Sequence, residues 1–156
     1  MTAPPVRIIV ADPQSENCVR YQTVLPGLGY KLVSVAQTGR ELIEKCRQHG
    51  PDLVIADCKL TDMDVMDAAE EVCSAGRLPF IVTADHFDPQ HMRCNGTDHV
   101  WAYLMKPINR RRLEAVIPFV LHRFKKMQAL FTEIEALRVK VNSGLEAGSV
   151  ELRSQM

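Results

Sequence analysis

Five short apolar runs, each stopped by turn-forming or polar residues, constrain this chain more than any other feature. They are VRIIVA (Val6–Ala11), KLVSVA (Lys31–Ala36), LVIA (Leu53–Ala56), PFIVT (Pro79–Thr83) and VWAYLM (Val100–Met105). Runs of this length and composition read as strands, most of them buried. Helical patterns fall between them. Ser15 to Leu25 carries Cys18, Val19 and Leu25 at helical spacing and meets Pro26, Gly27 and Gly29. Thr38 opens T-G-R-E, a capping box with Glu41, ahead of Leu42, Ile43 and Cys46 and a stop at Gly50. A short helix is expected over Asp67–Ser74 and a weak one from Asp88 to Asn95. Strands and helices alternating with short connections imply a doubly wound α/β fold, with parallel strands joined by right-handed helical crossovers.

A chain of 156 residues, 46% hydrophobic, is long enough for one domain with a real core and an appendage. Its formal net charge of zero gives no global field towards nucleic acid or a membrane. No apolar run approaches a membrane span. Met1–Pro5 lacks the basic and apolar regions of a secretory signal, so a cytoplasmic location is expected. The five cysteines, an odd number without a C-x-x-C pair, read as reduced and mostly buried thiols.

In such sheets ligands bind outside the carboxyl ends of the strands. The first strand is followed by Asp12, the third by Asp57, the fourth ends at Thr83-Ala84, and the fifth runs into Lys106-Pro107. A buried carboxylate is costly without a cation or hydrogen bonds, so Asp57, with Asp62, Asp64 and Asp67 close behind it, suggests a site. Two acids favour a hard, partly hydrated cation such as Mg2+. A lysine and a hydroxyl can grip phosphoryl oxygens. The set suits phosphoryl transfer by positioning and charge neutralisation.

These residues resemble the receiver domain of two-component response regulators. The likeness rests on Asp12, D-x-K-L-x-D-M-D from Asp57, Thr83-Ala84 and Y-L-M-K-P from Tyr103 to Pro107. It implies a flavodoxin-like five-stranded sheet of order 2-1-3-4-5, a receiver over residues 1–124, and a helical extension over 125–156 with a flexible end. It further implies that Asp57 accepts a phosphoryl group from a histidine kinase or phosphotransfer protein. Asp12, Asp57 and the backbone carbonyl of Lys59 would hold Mg2+. Lys106 would pair with Asp57 and then with the phosphoryl oxygens, Thr83 would bond the phosphoryl group, and Tyr103 would rotate as the switch aromatic. The bond before Pro107 is a cis candidate. The implied role is signalling, not that of an enzyme.

Several departures bear on that reading, among them Val100-Trp101-Ala102 in place of a small, Gly-rich turn. Ala11 stands where receivers usually carry a second acid, so Mg2+ binding should weaken. Thr61 replaces a usual proline, and Val65 a usual glycine, which would strain the backbone if that position needs a positive φ. Lys59 and Asp85 occupy positions that tune phosphate lifetime in the family. A pseudo-receiver, keeping the fold as a protein-binding switch, is the competing reading. A haloacid-dehalogenase-like phosphatase would need D-x-D, and Asp57-Cys58-Lys59 fails that test.

From Asn109 a long helix is expected, with Leu113, Ile117, Val120, Phe124, Met127, Phe131 and Ile134 at alternating spacings of four and three. Val141 keeps this seam, Arg138 interrupts it and Leu137 lies alongside, while Pro118 should kink the helix. An exposed apolar stripe wants a partner, and a homodimer is the plain reading. F-T-E-I-E-A-L-R from Phe131 resembles the linker of ANTAR-type antitermination regulators. The segment after Asn142 carries two glycines and no matching core, so an RNA-binding module would be degenerate or truncated. The basic cluster Arg110, Arg111, Arg112, Arg123, Lys125 and Lys126 reads as a solvated face. His86, His91, Cys94 and His99 match no closed zinc site. Cys58 should face away from Asp57 and pack as a small hydrophobe.

Overall fold

A computed structural model of the chain describes residues 3–86 and 99–154, with side chains described as far as residue 145. Five strands, β1 (Arg7–Ala11), β2 (Lys31–Ala36), β3 (Leu53–Asp57), β4 (Phe80–Ala84) and β5 (Val100–Met105), form one sheet of order β2-β1-β3-β4-β5. All four pairings are parallel. Every residue of β3 and β4 is buried, whereas the edge strands β2 and β5 are mostly half-buried. That gradient explains why LVIAD and FIVTA are continuous apolar runs and KLVSVA alternates.

Three helices, α1 (Ser15–Gly27), α2 (Gly39–His49) and α3 (Val65–Cys73), follow the first three strands. The apolar stripe of α2 (Leu42, Ile43, Cys46) is buried with Ile9, Val54 and Ala56 of the sheet. Its start is held by Thr38, whose Oγ1 accepts from the Glu41 N–H at 3.1 Å. The Glu41 carboxylate accepts from the N–H of Gln37 at 3.3 Å, one residue before the cap. Gly50 ends the helix at φ 54°, in the left-handed region that glycine enters without steric cost. The expected weak helix from Asp88 lies outside the described residues, as do His91 and Cys94.

Helix α3 begins two residues before the expected Asp67, because Asp64 caps it by accepting from the Met66 N–H at 2.8 Å. Val65, the feared strain point, is instead the first, fully buried residue of that helix. Among the described residues no non-glycine residue has a positive φ.

The last helix, α4, spans Arg110–Ser154. It includes Pro118 and runs on through Asn142 and both glycines of the expected flexible end. The chain divides into two compact units, Met1–Val120 and Leu121–Met156, the boundary falling inside α4 and four residues before the expected one. In the first unit Leu113, Ile117 and Val120 are buried. In the second, Met127, Leu130, Ile134, Leu137 and Val141 are all exposed. Among the described residues no helix is long and apolar enough to cross a membrane.

Candidate functional site

Strand order alone brings distant residues to one edge. Asp12 follows β1, its N–H bonding the Ala36 carbonyl of β2 at 3.0 Å. Asp57 ends β3 and pairs in register with Thr83 on β4. Lys106 follows β5, its N–H bonding the Ala84 carbonyl at 2.7 Å, and the Lys106-Pro107 peptide is cis. Among the described residues, Asp12, Asp57 and Thr83 are the buried polar side chains of an otherwise apolar core.

Lys106 joins the two acids. Its Nζ donates to Asp12 Oδ2 at 3.0 Å and also to Asp57 Oδ2. Burial disfavours the charge on Lys106, but hydrogen bonds to Asp57 and Asp12 outweigh it and raise its pKa. The remaining carboxylate oxygens are held locally. Asp12 Oδ1 accepts from the Gln14 N–H at 2.8 Å, and Asp57 Oδ1 from the Lys59 N–H at 2.8 Å. Each still has a lone pair to spare. The loop after β3 is closed by an antiparallel bridge between Lys59 and Asp64.

Thr83 Oγ1 is buried and makes no hydrogen bond within normal limits, although the Tyr21 phenol lies beside it. Burial, with the charge of Asp12 next in size, raises the pKa of Tyr21. Tyr103 is half-buried on β5 and packs against the core cluster that contains Cys58. Cys58 is buried, as expected, but its thiol lies against both the Tyr103 hydroxyl and Asp57. Burial, then the Asp57 charge, raises the thiol's pKa. Burial likewise raises Cys18 and pushes Cys46 up to about 12, so these thiols are structural.

Sequence reasoning missed Asn17, whose Nδ2 donates to Asp12 Oδ2 at 3.2 Å. Nor did it flag Tyr21. A cavity of about 290 Å3 borders the cluster, walled by Asn17, Tyr21, Asp85 and Lys106 among others. The other acids near Asp57 serve the fold. Asp62 accepts from the N–H groups of Gly39 and Arg40 at 2.7 and 3.0 Å, capping α2 from another loop, and Asp64 caps α3.

Residues 8–118 match the family model described as the response regulator receiver domain. This chain belongs to the response regulator receiver family. It is 29% identical over 141 residues to the transcriptional regulatory protein PdtaR of Mycobacterium tuberculosis, covering 90% of this chain and 69% of that protein. It is 30% identical over 66 residues to the chemotaxis protein CheY of Bacillus subtilis, covering 42% of this chain and 55% of CheY. Among solved structures it is similar to a CheY-like receiver domain protein from Methanospirillum hungatei. That match has a TM-score of 0.72 at 24% identity and covers 80% of this chain and 99% of the other. The receiver's five-stranded order and the residues at its strand ends thus sit within a signal-transduction family.

Proposed function

We propose that the receiver accepts one phosphoryl group on Asp57 from a histidine kinase or phosphotransfer protein, in the cytoplasm, and that a homodimer built on α4 carries the output. The observation that supports this most directly is Lys106 bridging Asp12 and Asp57, two carboxylates that would otherwise repel each other within a buried site.

In the transfer, an Asp57 oxygen forms a bond to phosphorus as the phosphorus–nitrogen bond of the donor phosphohistidine breaks, and the imidazole nitrogen takes back a proton. Lys106 orients Asp57 beforehand and shifts its hydrogen bonds to the arriving phosphoryl oxygens. Thr83 Oγ1 is buried and makes no hydrogen bond within normal limits, and a phosphoryl oxygen would give it a strong acceptor. Such a step works by positioning and charge neutralisation. The chain takes up phosphate stoichiometrically and is a signalling module, not a turnover enzyme.

The site chemistry also suits Mg2+. Asp12, Asp57 and the Lys59 backbone carbonyl would hold it, with water completing the shell. Bound there, the cation would neutralise charge developing on the transferred group. Ala11 leaves one acid fewer than receivers usually have, and it is the observation that favours the second reading, a receiver that binds partners without phosphorylation.

The test is to incubate the full chain with Mg2+ and acetyl phosphate or beryllofluoride, and to follow intact mass and Trp101 fluorescence. A mass gain of one phosphoryl group with acetyl phosphate, absent in Asp57→Asn, is expected. No adduct under saturating donor would leave the binding-only reading.

A further inference from the structure

We infer that the exposed stripe of α4 is the seam of a parallel, two-stranded coiled coil with a second copy of this chain, running from Met127 to Val141 and locked by Glu133 of each copy against Arg138 of the other. This rests on the dimer reading above and specifies its geometry.

The exposure pattern sets the register. Met127 (37%), Leu130 (53%), Ile134 (45%), Leu137 (55%) and Val141 (59%) lie open at spacings of three and four. Phe131, the next seam residue expected from the sequence, is only half-exposed. The exposed stripe therefore runs through Leu130 and Leu137, not through Phe131 and the interrupting Arg138. Met127, Ile134 and Val141 become the a positions, and Leu130 and Leu137 the d positions. β-branched residues at a with leucine at d favour two parallel strands.

The flanking charges agree. Glu133 falls at g and Arg138 at the following e, the two positions that face each other across a parallel pair, and both side chains are exposed. Two-fold symmetry makes this contact twice. Antiparallel pairings fare worse. One alignment sets Met127 opposite Gly144 and loses an apolar layer at each end, keeping Glu133 near Lys140. Sliding one chain by a heptad again gives four apolar layers but sets Glu133 against Glu133 and Lys126 against Lys140. The parallel register fills all five layers and opposes unlike charges. It ends where Gly144 takes the next d position.

Sedimentation of the full chain across the micromolar range tests this. The wild type is expected to dimerise reversibly. Arg138→Glu and Glu133→Arg should each weaken the dimer about five- to tenfold at low salt, less at high salt. A mixture of the two variants should pair with each other and recover wild-type affinity. If Glu133→Arg weakens the dimer but Arg138→Glu does not, the chains run antiparallel through Lys140 and the inference fails. A trimeric mass overturns it as well. If both charge variants dimerise normally while Leu137→Asp is monomeric, the dimer reading survives and this register does not. A wild-type chain that stays monomeric sinks both.

Discussion

Lys106 and Asp12 lie 94 residues apart in the chain, yet Lys106 Nζ sits 3.0 Å from Asp12 Oδ2 while also bonding Asp57. One ammonium thus serves two buried carboxylates. The arrangement holds the pocket together before any cation or phosphate arrives.

Lys106→Met should therefore destabilise the protein by about 3 kcal/mol at neutral pH, because two buried acids lose their counter-charge. The folded pKa of Lys106 is raised, so its contribution is complete below the unfolded lysine value and is lost as pH rises through the folded one. Urea unfolding of both proteins should show the gap closing in strong alkali. Added Mg2+ should stabilise the variant more than the wild type, since it replaces the missing charge. A gap indifferent to both would mean the bridge contributes nothing.

Ala11 ends β1 fully buried, next to Asp12. Ala11→Asp should tighten Mg2+ binding about tenfold by adding a carboxylate to the donor set. It should lower stability without the metal, because another buried acid joins two already present. Calorimetric titration and urea unfolding with and without Mg2+ measure the two effects. An unchanged affinity would show that position 11 does not reach the cation.

The strands were legible because burial leaves an unbroken apolar run, and the residues at their ends were legible because parallel topology sends all those ends to one edge. Asp12, Asp57 and Lys106 follow from that rule. Asn17 and Tyr21 did not, since a helix face turned towards a pocket looks like any other helix face in the sequence. Asp62 was legible as an acid near Asp57 but not as the cap of a helix that begins 23 residues earlier. Leu130 and Leu137 were present in the pattern, but two overlapping heptad phases share Met127, Ile134 and Val141, and only exposure separates them.

Gly39 shows a close approach of the same loop. A Cβ there would run into the Met63 side chain and come within 3.2 Å of Asp62 Oδ1. Alanine is ordinarily the better helix residue, yet Gly39→Ala should destabilise by about 1–2 kcal/mol as Met63 is displaced. In a Met63→Ala background the same substitution should cost much less. A double-mutant cycle by urea unfolding gives the coupling, and additive effects would show that the loop does not press on the helix.

Asp62 ties the segment that follows Asp57 to the start of α2. Hydrogen bonds from the N–H of Gly39 and then of Arg40 hold its pKa below the ordinary aspartate value of 3.8, and the positive end of the helix dipole acts in the same direction. The folded pKa lies below the unfolded one, so the stabilisation is present above the unfolded value and is lost as pH falls through the folded value. Asp62→Ala should therefore unfold at lower urea than the wild type at pH 7, and the two should converge as pH falls from about 4 towards the acid limit. Asp62→Asn, which keeps one acceptor oxygen, should lie between them. If the wild type and Asp62→Ala keep a constant gap across that range, the carboxylate charge is not what holds the loop to the helix.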